Sequence, residues 1–149
     1  MDNVLLREFN AQIISKGRIT FGDVKRLQRN ILPDGICARD DVELLLALDR
    51  VVPRADRTWG DYLVAAVTDF VVWGERPTGY VDPASARWLT AVLSEGIRAD
   101  LARRIAREIS AEAQDVDPRL LDLARPWWLP RLSWPKLSGR ADDWALAPA

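Results

Sequence analysis

The sequence contains no histidine and a single cysteine, Cys37. Without histidine the chain lacks the commonest general base, the usual partner of serine and cysteine nucleophiles, and a frequent zinc ligand. A lone cysteine excludes an intrachain disulfide and is typical of a reducing compartment, so we expect a cytoplasmic protein. We therefore predict a protein that is not an enzyme and that uses no cofactor or metal ion.

The sequence also lacks a long apolar run and a net charge. Its longest apolar stretch, residues 62–73, includes Thr68 and Asp69 and falls well short of the roughly 20 residues that a membrane-spanning helix needs. The 21 basic and 22 acidic residues give a formal net charge of −1. No field of the whole molecule attracts nucleic acid or anionic lipid, so we do not expect a membrane partner.

What the chain does contain is helical periodicity with regular start and stop signals. Thr20 with Asp23, and Thr58 with Asp61, have the spacing of a capping box, and Asp82 precedes a proline in the favoured first helical position. The first helix stops before Gly17 and has apolar residues at helical spacing: Val4, Leu5, Phe9, Ile13 and Ile14. These patterns predict an all-α fold of six to eight helices with almost no β structure.

The helical pattern occurs twice. Gly17 aligns with Gly79 at an offset of 62 residues, and Gly35 aligns with Gly96 at an offset of 61. Between each pair of glycines, an apolar residue is followed by a polar cap that starts a helix. We predict an internally duplicated three-helix unit, with copies at about 3–50 and 58–113 in a single helical domain, residues 1–125.

The glycine motifs resemble the middle of an EF-hand loop. Gly17-x-Ile19 and Gly79-x-Val81 have its glycine and apolar residue, with Asp23 at the position of the last ligand. A calcium loop also needs oxygen ligands before the glycine. The corresponding residues here are Gln12, Ile14 and Lys16 in the first loop, and Gly74, Arg76 and Thr78 in the second. We therefore expect a degenerate EF-hand-like loop that does not bind calcium.

The run 32–36, Leu-Pro-Asp-Gly-Ile, followed by residues 42–48, resembles the acidic-glycine helix starts of bacterial TerB-like helical domains. The run 59–73 and the following Pro77-x-Gly79-Tyr80-Val81 are similar to an uncharacterised bacterial helical family. Together the resemblance covers about residues 15–125. It implies a link with metal-ion stress and membrane-associated complexes, and acidic residues that bind metal. The acidic residues available for that role are Asp34, Asp40, Asp41, Glu43, Asp61, Asp69 and Glu95.

Two carboxylates interrupt the apolar helix of the second unit. Asp61 and Asp69 are spaced to lie on roughly the same helix face, and a buried carboxylate is costly unless it is paired. We predict a buried polar site at Asp61 and Asp69. It either contacts a ligand or metal, or is paired with Arg54, Arg57 or Arg87; simple exposure at the helix edge is the third alternative.

The first unit carries a basic patch, formed by Lys16, Arg18, Lys25, Arg26 and Arg29. Cations one helical turn apart can contact a phosphate backbone, and helix-turn-helix proteins also use short three-helix units. Acidic residues lie close by in the sequence, so a solvated helix face is the other interpretation.

The C-terminal arm, residues 126–149, has the most unusual composition. Trp127, Trp128 and Trp134 lie among prolines, and Arg131 is one of several cations that precede any acidic residue. The prolines predict an extended arm, and tryptophans are rarely left in water. The arm therefore covers its own domain, a partner protein or second protomer, or a membrane interface.

Taken together, these features predict a non-enzymatic intracellular interaction or regulatory module. It binds a protein partner, or a second copy in a homodimer, through its helical faces and through Trp127, Trp128, Arg131 and Trp134. The alternative is a nucleic-acid-binding regulator that uses the basic patch.

Overall fold

The computed structural model describes residues 3–95 and 98–125, and this part of the chain is mostly helical. It contains seven α-helices and four strands of two residues each, which confirms the predicted helical fold. In chain order the elements are α1 (Val4–Lys16), β1 (Arg18–Ile19), α2 (Phe21–Arg26), α3 (Arg39–Val51), β2 (Arg54–Ala55), α4 (Arg57–Asp69), β3 (Tyr80–Val81), α5 (Pro83–Ser94), α6 (Ala99–Glu112), β4 (Asp115–Val116) and α7 (Pro118–Ala124). The predicted extended arm, residues 126–149, lies outside the described residues.

Side-chain caps start most of these helices. Thr20 and Asp23 form the predicted capping box at α2, and Asp82 accepts a hydrogen bond from the Ser85 backbone N–H at 2.7 Å at the start of α5. The capping box predicted from Thr58 and Asp61 is wrong. Asp56 caps α4 instead, accepting from the Thr58 N–H at 3.0 Å, because the chain turns two residues earlier than the Thr-x-x-Asp spacing indicates.

Helices α2 and α4 each continue as a π-helical turn, Leu27–Ile31 and Phe70–Gly74. The second of these turns leads to Gly79, whose φ of +84° requires a glycine, as does the +79° of Gly17 after α1. Gly17 and Gly79 therefore have the same left-handed conformation, but only Gly17 directly follows a helix. Gly96, the partner predicted for Gly35, lies outside the described residues.

Two parallel strand pairs, which the sequence pattern did not predict, hold each unit together. Arg18 and Ile19 of β1 pair with Arg54 and Ala55 of β2, and β3 pairs with β4 in the same orientation. A backbone hydrogen bond from Asp56 N–H to the Ile19 carbonyl at 2.7 Å has a counterpart from Asp117 to Val81 at 3.2 Å. The strands thus repeat at the predicted offsets of 62 and 61 residues.

The helices repeat in the same order. Helices α1, α2 and α3 form the first unit, α4, α5 and α6 form the second, and α7 follows β4 as α4 follows β2. Helix α4 therefore has two roles, since it packs against α2 of the first unit and against α6 of its own. Its Trp59 and Leu63, both 0% exposed, lie in the one apolar cluster that joins the two units.

Candidate interaction surfaces

The basic patch of the first unit is partly neutralised. Lys16 forms an ion pair with Asp23, and Arg26 lies 4.0 Å from the same carboxylate and 5.0 Å above the Phe9 ring. Burial raises the pKa of Asp23, but hydrogen bonds from Lys16 and Thr20 outweigh it and lower that pKa below its ordinary value. Asp23 is therefore charged at neutral pH and holds two of the predicted phosphate-binding cations against the domain.

The other cations of the patch point into solvent or lie on a neighbouring ring. Lys25 sits 5.3 Å above the ring of Phe21, and Arg18 and Arg29 are exposed. Strand pairing places Arg18 opposite Arg54, which the sequence pattern did not include in the patch. The five residues of the predicted patch therefore do not form one exposed surface. The exposed basic surface is smaller and lies around Arg18 and Arg54.

The predicted burial of Asp61 and Asp69 is wrong, because both carboxylates are exposed. Asp61 pairs at 2.8 Å with Arg104 of α6, and with none of the three arginines proposed from the sequence. The side chains of this pair are 61% and 48% exposed, so water screens it. The helix is apolar on the sides that face α2 and α6, and its two aspartates lie at the edge between them.

Asp61 and Asp69 line an acidic groove between α4 and α6, with a volume of about 260 Å³. Glu108 and Glu112 of α6 line its other side, and Arg104 is the one cation among the described residues that line it. Thr68 also lines the groove; it is 2% exposed, and its hydroxyl has no hydrogen-bond partner among the described residues. Trp73, 47% exposed, donates its indole N–H to Glu112 at 3.1 Å. Within the described residues, no cluster of His, Cys, Asp or Glu has the arrangement of a metal site.

A polar seam centred on Arg39 joins the two units. Its guanidinium donates to Glu75 and to the Ser85 hydroxyl, both at 2.9 Å, and lies 4.7 Å from the Trp88 ring. Trp88 in turn donates its indole N–H to Glu43 at 2.8 Å. The sequence pattern did not single out Arg39, because its partners are 36–49 residues away along the chain.

Beside this seam lies a groove of about 530 Å³ between α1, α3 and α5. Its floor includes Leu44 and Val92, and charged residues of both signs line its rim. Arg50 crosses the same interface and donates to the Glu95 carbonyl at 2.9 Å. The groove therefore lies at the interface between the two units, and its mixed charges favour no single ionic ligand.

A buried polar pair lies under α4. Trp59, 0% exposed, donates its indole N–H to Asp49 Oδ1 at 3.1 Å, and Arg98 approaches the same oxygen at 3.4 Å. Close by, burial and then the charge of Asp41 raise the pKa of Tyr62 to about 12. Tyr62 therefore stays protonated at neutral pH, which makes it a poor general base.

The outer face of α1 carries apolar residues that the core does not cover. Phe9 and Ile13 are buried, but Val4 (60%), Leu5 (56%) and Ile14 (51%) are exposed. The five apolar positions span too wide an arc of a helix for one contact face. Ala11, also exposed, lies between Val4 and Ile14 on the same side.

The repeat indicates what is missing at this face. The buried residues of α1 match buried residues 58 positions later, as Leu6 matches Val64 and Phe9 matches Val67. This offset is four residues smaller than that of the glycines, because the second helical segment ends at Gly74, four residues further from its glycine than Lys16 is from Gly17. In this register Val4 corresponds to Tyr62, which shares a groove with Phe21 and Val24 of α2. Helix α4 thus packs one face on its own unit and another on the preceding unit. Among the described residues, the main contacts of α1 are with α3 and with the π-helical turn after α2, both in its own unit.

The arm residues Trp127, Trp128, Arg131 and Trp134 lie outside the described residues, so their predicted binding role stays a prediction. Across the described ranges 3–95 and 98–125, no helix has the length and apolarity needed to cross a bilayer. Comparison with known proteins gives no match to a family model, to a curated protein or to a solved structure. The resemblance to TerB-like domains therefore also stays a prediction.

Proposed function

We propose that this chain is a non-enzymatic interaction or regulatory module that binds protein through its helical faces and its C-terminal arm. The observation that carries the proposal is the outer face of α1, where Val4 and Ile14 are each more than half exposed. In the second unit, the equivalent face of α4 is covered by helix α2. An apolar helix face with a helical cover in one unit and none in the other is typical of a protein-binding surface.

The occupant proposed for this face is α1 of a second copy. Val4 and Ile14 lie at the two ends of the exposed stripe, and the small side chain of Ala11 lies between them. Two such helices packed antiparallel about a twofold axis place Val4 of one copy against Ile14 of the other. Each copy then supplies the helix that the other lacks, which is the self-complementarity that a closed dimer requires.

Replacing Ile14 by glutamate is expected to dissociate this dimer, because the exchange buries two new carboxylates that have no partner. Light scattering after size exclusion should give twice the chain mass of 16.8 kDa for the natural sequence and 16.8 kDa for Ile14→Glu. Val51→Glu is the matched control, since Val51 is 54% exposed at the end of α3. A chain that stays at 16.8 kDa over a wide range of concentrations contradicts a second copy as the occupant.

Nucleic-acid binding is the second candidate function, and the pairing of Arg18 with Arg54 favours it. If the basic surface contacts phosphates, affinity for duplex DNA falls steeply with salt, and Arg18→Ala with Arg54→Ala lowers the slope of log K against log salt by about 2. Arg119→Ala, on the exposed side of α7, is the control that leaves the slope unchanged. An affinity that does not depend on salt overturns this second candidate.

A further inference from the structure

The acidic groove between α4 and α6 has a charge that the described part of the chain does not balance. Of the residues that the structure describes, four carboxylates and one cation line it: Asp61, Asp69, Glu108 and Glu112, with Arg104. Asp61 is paired with that arginine, and Glu112 accepts only a neutral indole N–H. The groove is therefore suited to a cationic occupant, and the exposed ring of Trp73 beside it offers an aromatic surface.

The floor of this groove holds an unused hydrogen-bonding group. Thr68 is 2% exposed, and its hydroxyl lacks a partner among the residues described, although buried hydroxyls are usually bonded. A buried hydroxyl without a partner points to a polar group that reaches the groove from elsewhere. This observation on Thr68 is independent of the charge of the groove, since Thr68 is neutral.

The chain itself carries a segment of matching chemistry. Between residues 126 and 140 the arm contains Arg131, Lys136 and Arg140, no acidic residue, and three tryptophans. It begins after α7, which packs against α6, one wall of the groove. Fifteen extended residues span roughly 45 Å at about 3.1 Å each, whereas α6, with its 14 residues, is only about 21 Å long. The arm is therefore long enough to lie along the whole groove.

We propose that the C-terminal arm, residues 126–149, docks in the acidic groove of its own chain. Its cations face the carboxylates of α4 and α6, and its tryptophans cover the apolar floor and the ring of Trp73. The proposal rests on the proposed function only in treating the arm as a binding element.

Trypsin tests this proposal on the full chain, because it cleaves after Arg131 and Lys136, both followed by leucine. Cleavage follows the fraction of time that the arm is undocked. We expect both bonds to be cut about tenfold more slowly in the full chain than in the free peptide 126–149. Equal cleavage rates in the chain and the peptide overturn the proposal, whether the groove is empty or takes another partner.

Two sets of variants separate docking from folding. Neutralising the groove with Asp69→Asn, Glu108→Gln and Glu112→Gln should restore the peptide's cleavage rate, whereas neutralising exposed Asp34, Asp100 and Asp115 should not. Thr68→Val removes an unpartnered hydroxyl, so it should leave the melting temperature unchanged or higher and still speed cleavage. The proposal is contradicted if the control substitutions speed cleavage, or if the groove substitutions do not speed it.

Chain concentration distinguishes the arm's own groove from that of another copy. Protection that stays constant on dilution supports docking in cis, and protection that disappears on dilution overturns it. This readout is separate from the mass change predicted for Ile14→Glu. Docking of the arm and dimerisation through α1 can therefore fail independently.

Discussion

Replacing Trp59 by alanine is expected to lower the free energy of unfolding by about 3–5 kcal/mol. Trp59 is 0% exposed and lies where α4 closes the first unit and opens the second, so its loss leaves a cavity in the cluster that joins them. It also removes the indole donor of Asp49, whose side chain is only 4% exposed and whose Oδ2 already lacks a partner among the described residues. Denaturant unfolding followed by circular dichroism measures this loss.

Trp59→Phe and Leu120→Ala separate the two contributions. Phenylalanine keeps most of the volume but leaves Asp49 with only the longer contact from Arg98, so a loss of about 1–3 kcal/mol is expected. Leu120 occupies the equivalent position in α7, 61 residues later, and is also 0% exposed. Its replacement by alanine costs about 2–5 kcal/mol through the cavity alone. A Trp59→Phe variant as stable as the natural chain would show that the Asp49 hydrogen bond contributes nothing.

Replacing Arg39 by methionine is expected to lower the free energy of unfolding by about 1.5–3 kcal/mol, the second large effect. Methionine keeps the length of the side chain but removes the ion pair with Glu75, the hydrogen bond to Ser85 and the stacking on Trp88. The Arg39 side chain is 37% exposed, so solvent screens part of the ion pair. The expected loss of stability is therefore smaller than the sum of the separate contacts. Equilibrium unfolding at fixed protein concentration is the measurement.

Lysine at position 39 tests whether the shape of the guanidinium matters. Lysine keeps the charge but cannot bond Glu75 and Ser85 while lying flat on Trp88, so Arg39→Lys should recover less than half of the loss. Arg104→Met is the matched control, because the exposed pair that Arg104 forms with Asp61 is worth about 0.5 kcal/mol or less. Equal losses for Arg39→Met and Arg104→Met would contradict a structural role for the seam.

The features of the fold that could be predicted are those that depend on residues close together in the sequence. The cap at Thr20, the proline after Asp82 and the glycine at 17 depend on neighbours within a few residues, and they start and end helices as predicted. Gly79 does not end a helix, because the helical turn before it already ends at Gly74. The repeat is visible for the same reason, since its glycines and caps recur at a nearly constant offset.

The features missed by sequence reasoning depend on residues far apart in the chain. A two-residue strand such as Arg18–Ile19 has no periodicity of its own, and it exists only because β2 lies beside it. The partners of Arg39 and the pairing of Asp61 with Arg104 likewise follow from helix packing. On α1, periodicity identified apolar positions but could not show that Val4, Leu5 and Ile14 face away from the single layer that covers the helix.

Disulfide trapping tests the antiparallel pairing of α1 between two copies most directly. In a Cys37→Ser background, Val4→Cys and Ile14→Cys chains are made separately and then mixed under mild oxidation. Antiparallel packing brings residue 4 of one chain next to residue 14 of the other, but holds two copies of either position about 15 Å apart along the helix axis, beyond the reach of a disulfide. Antiparallel pairing of α1 predicts that the mixture forms a cross-linked dimer and that each variant alone does not. A mixture that cross-links no more than its separate components would contradict it.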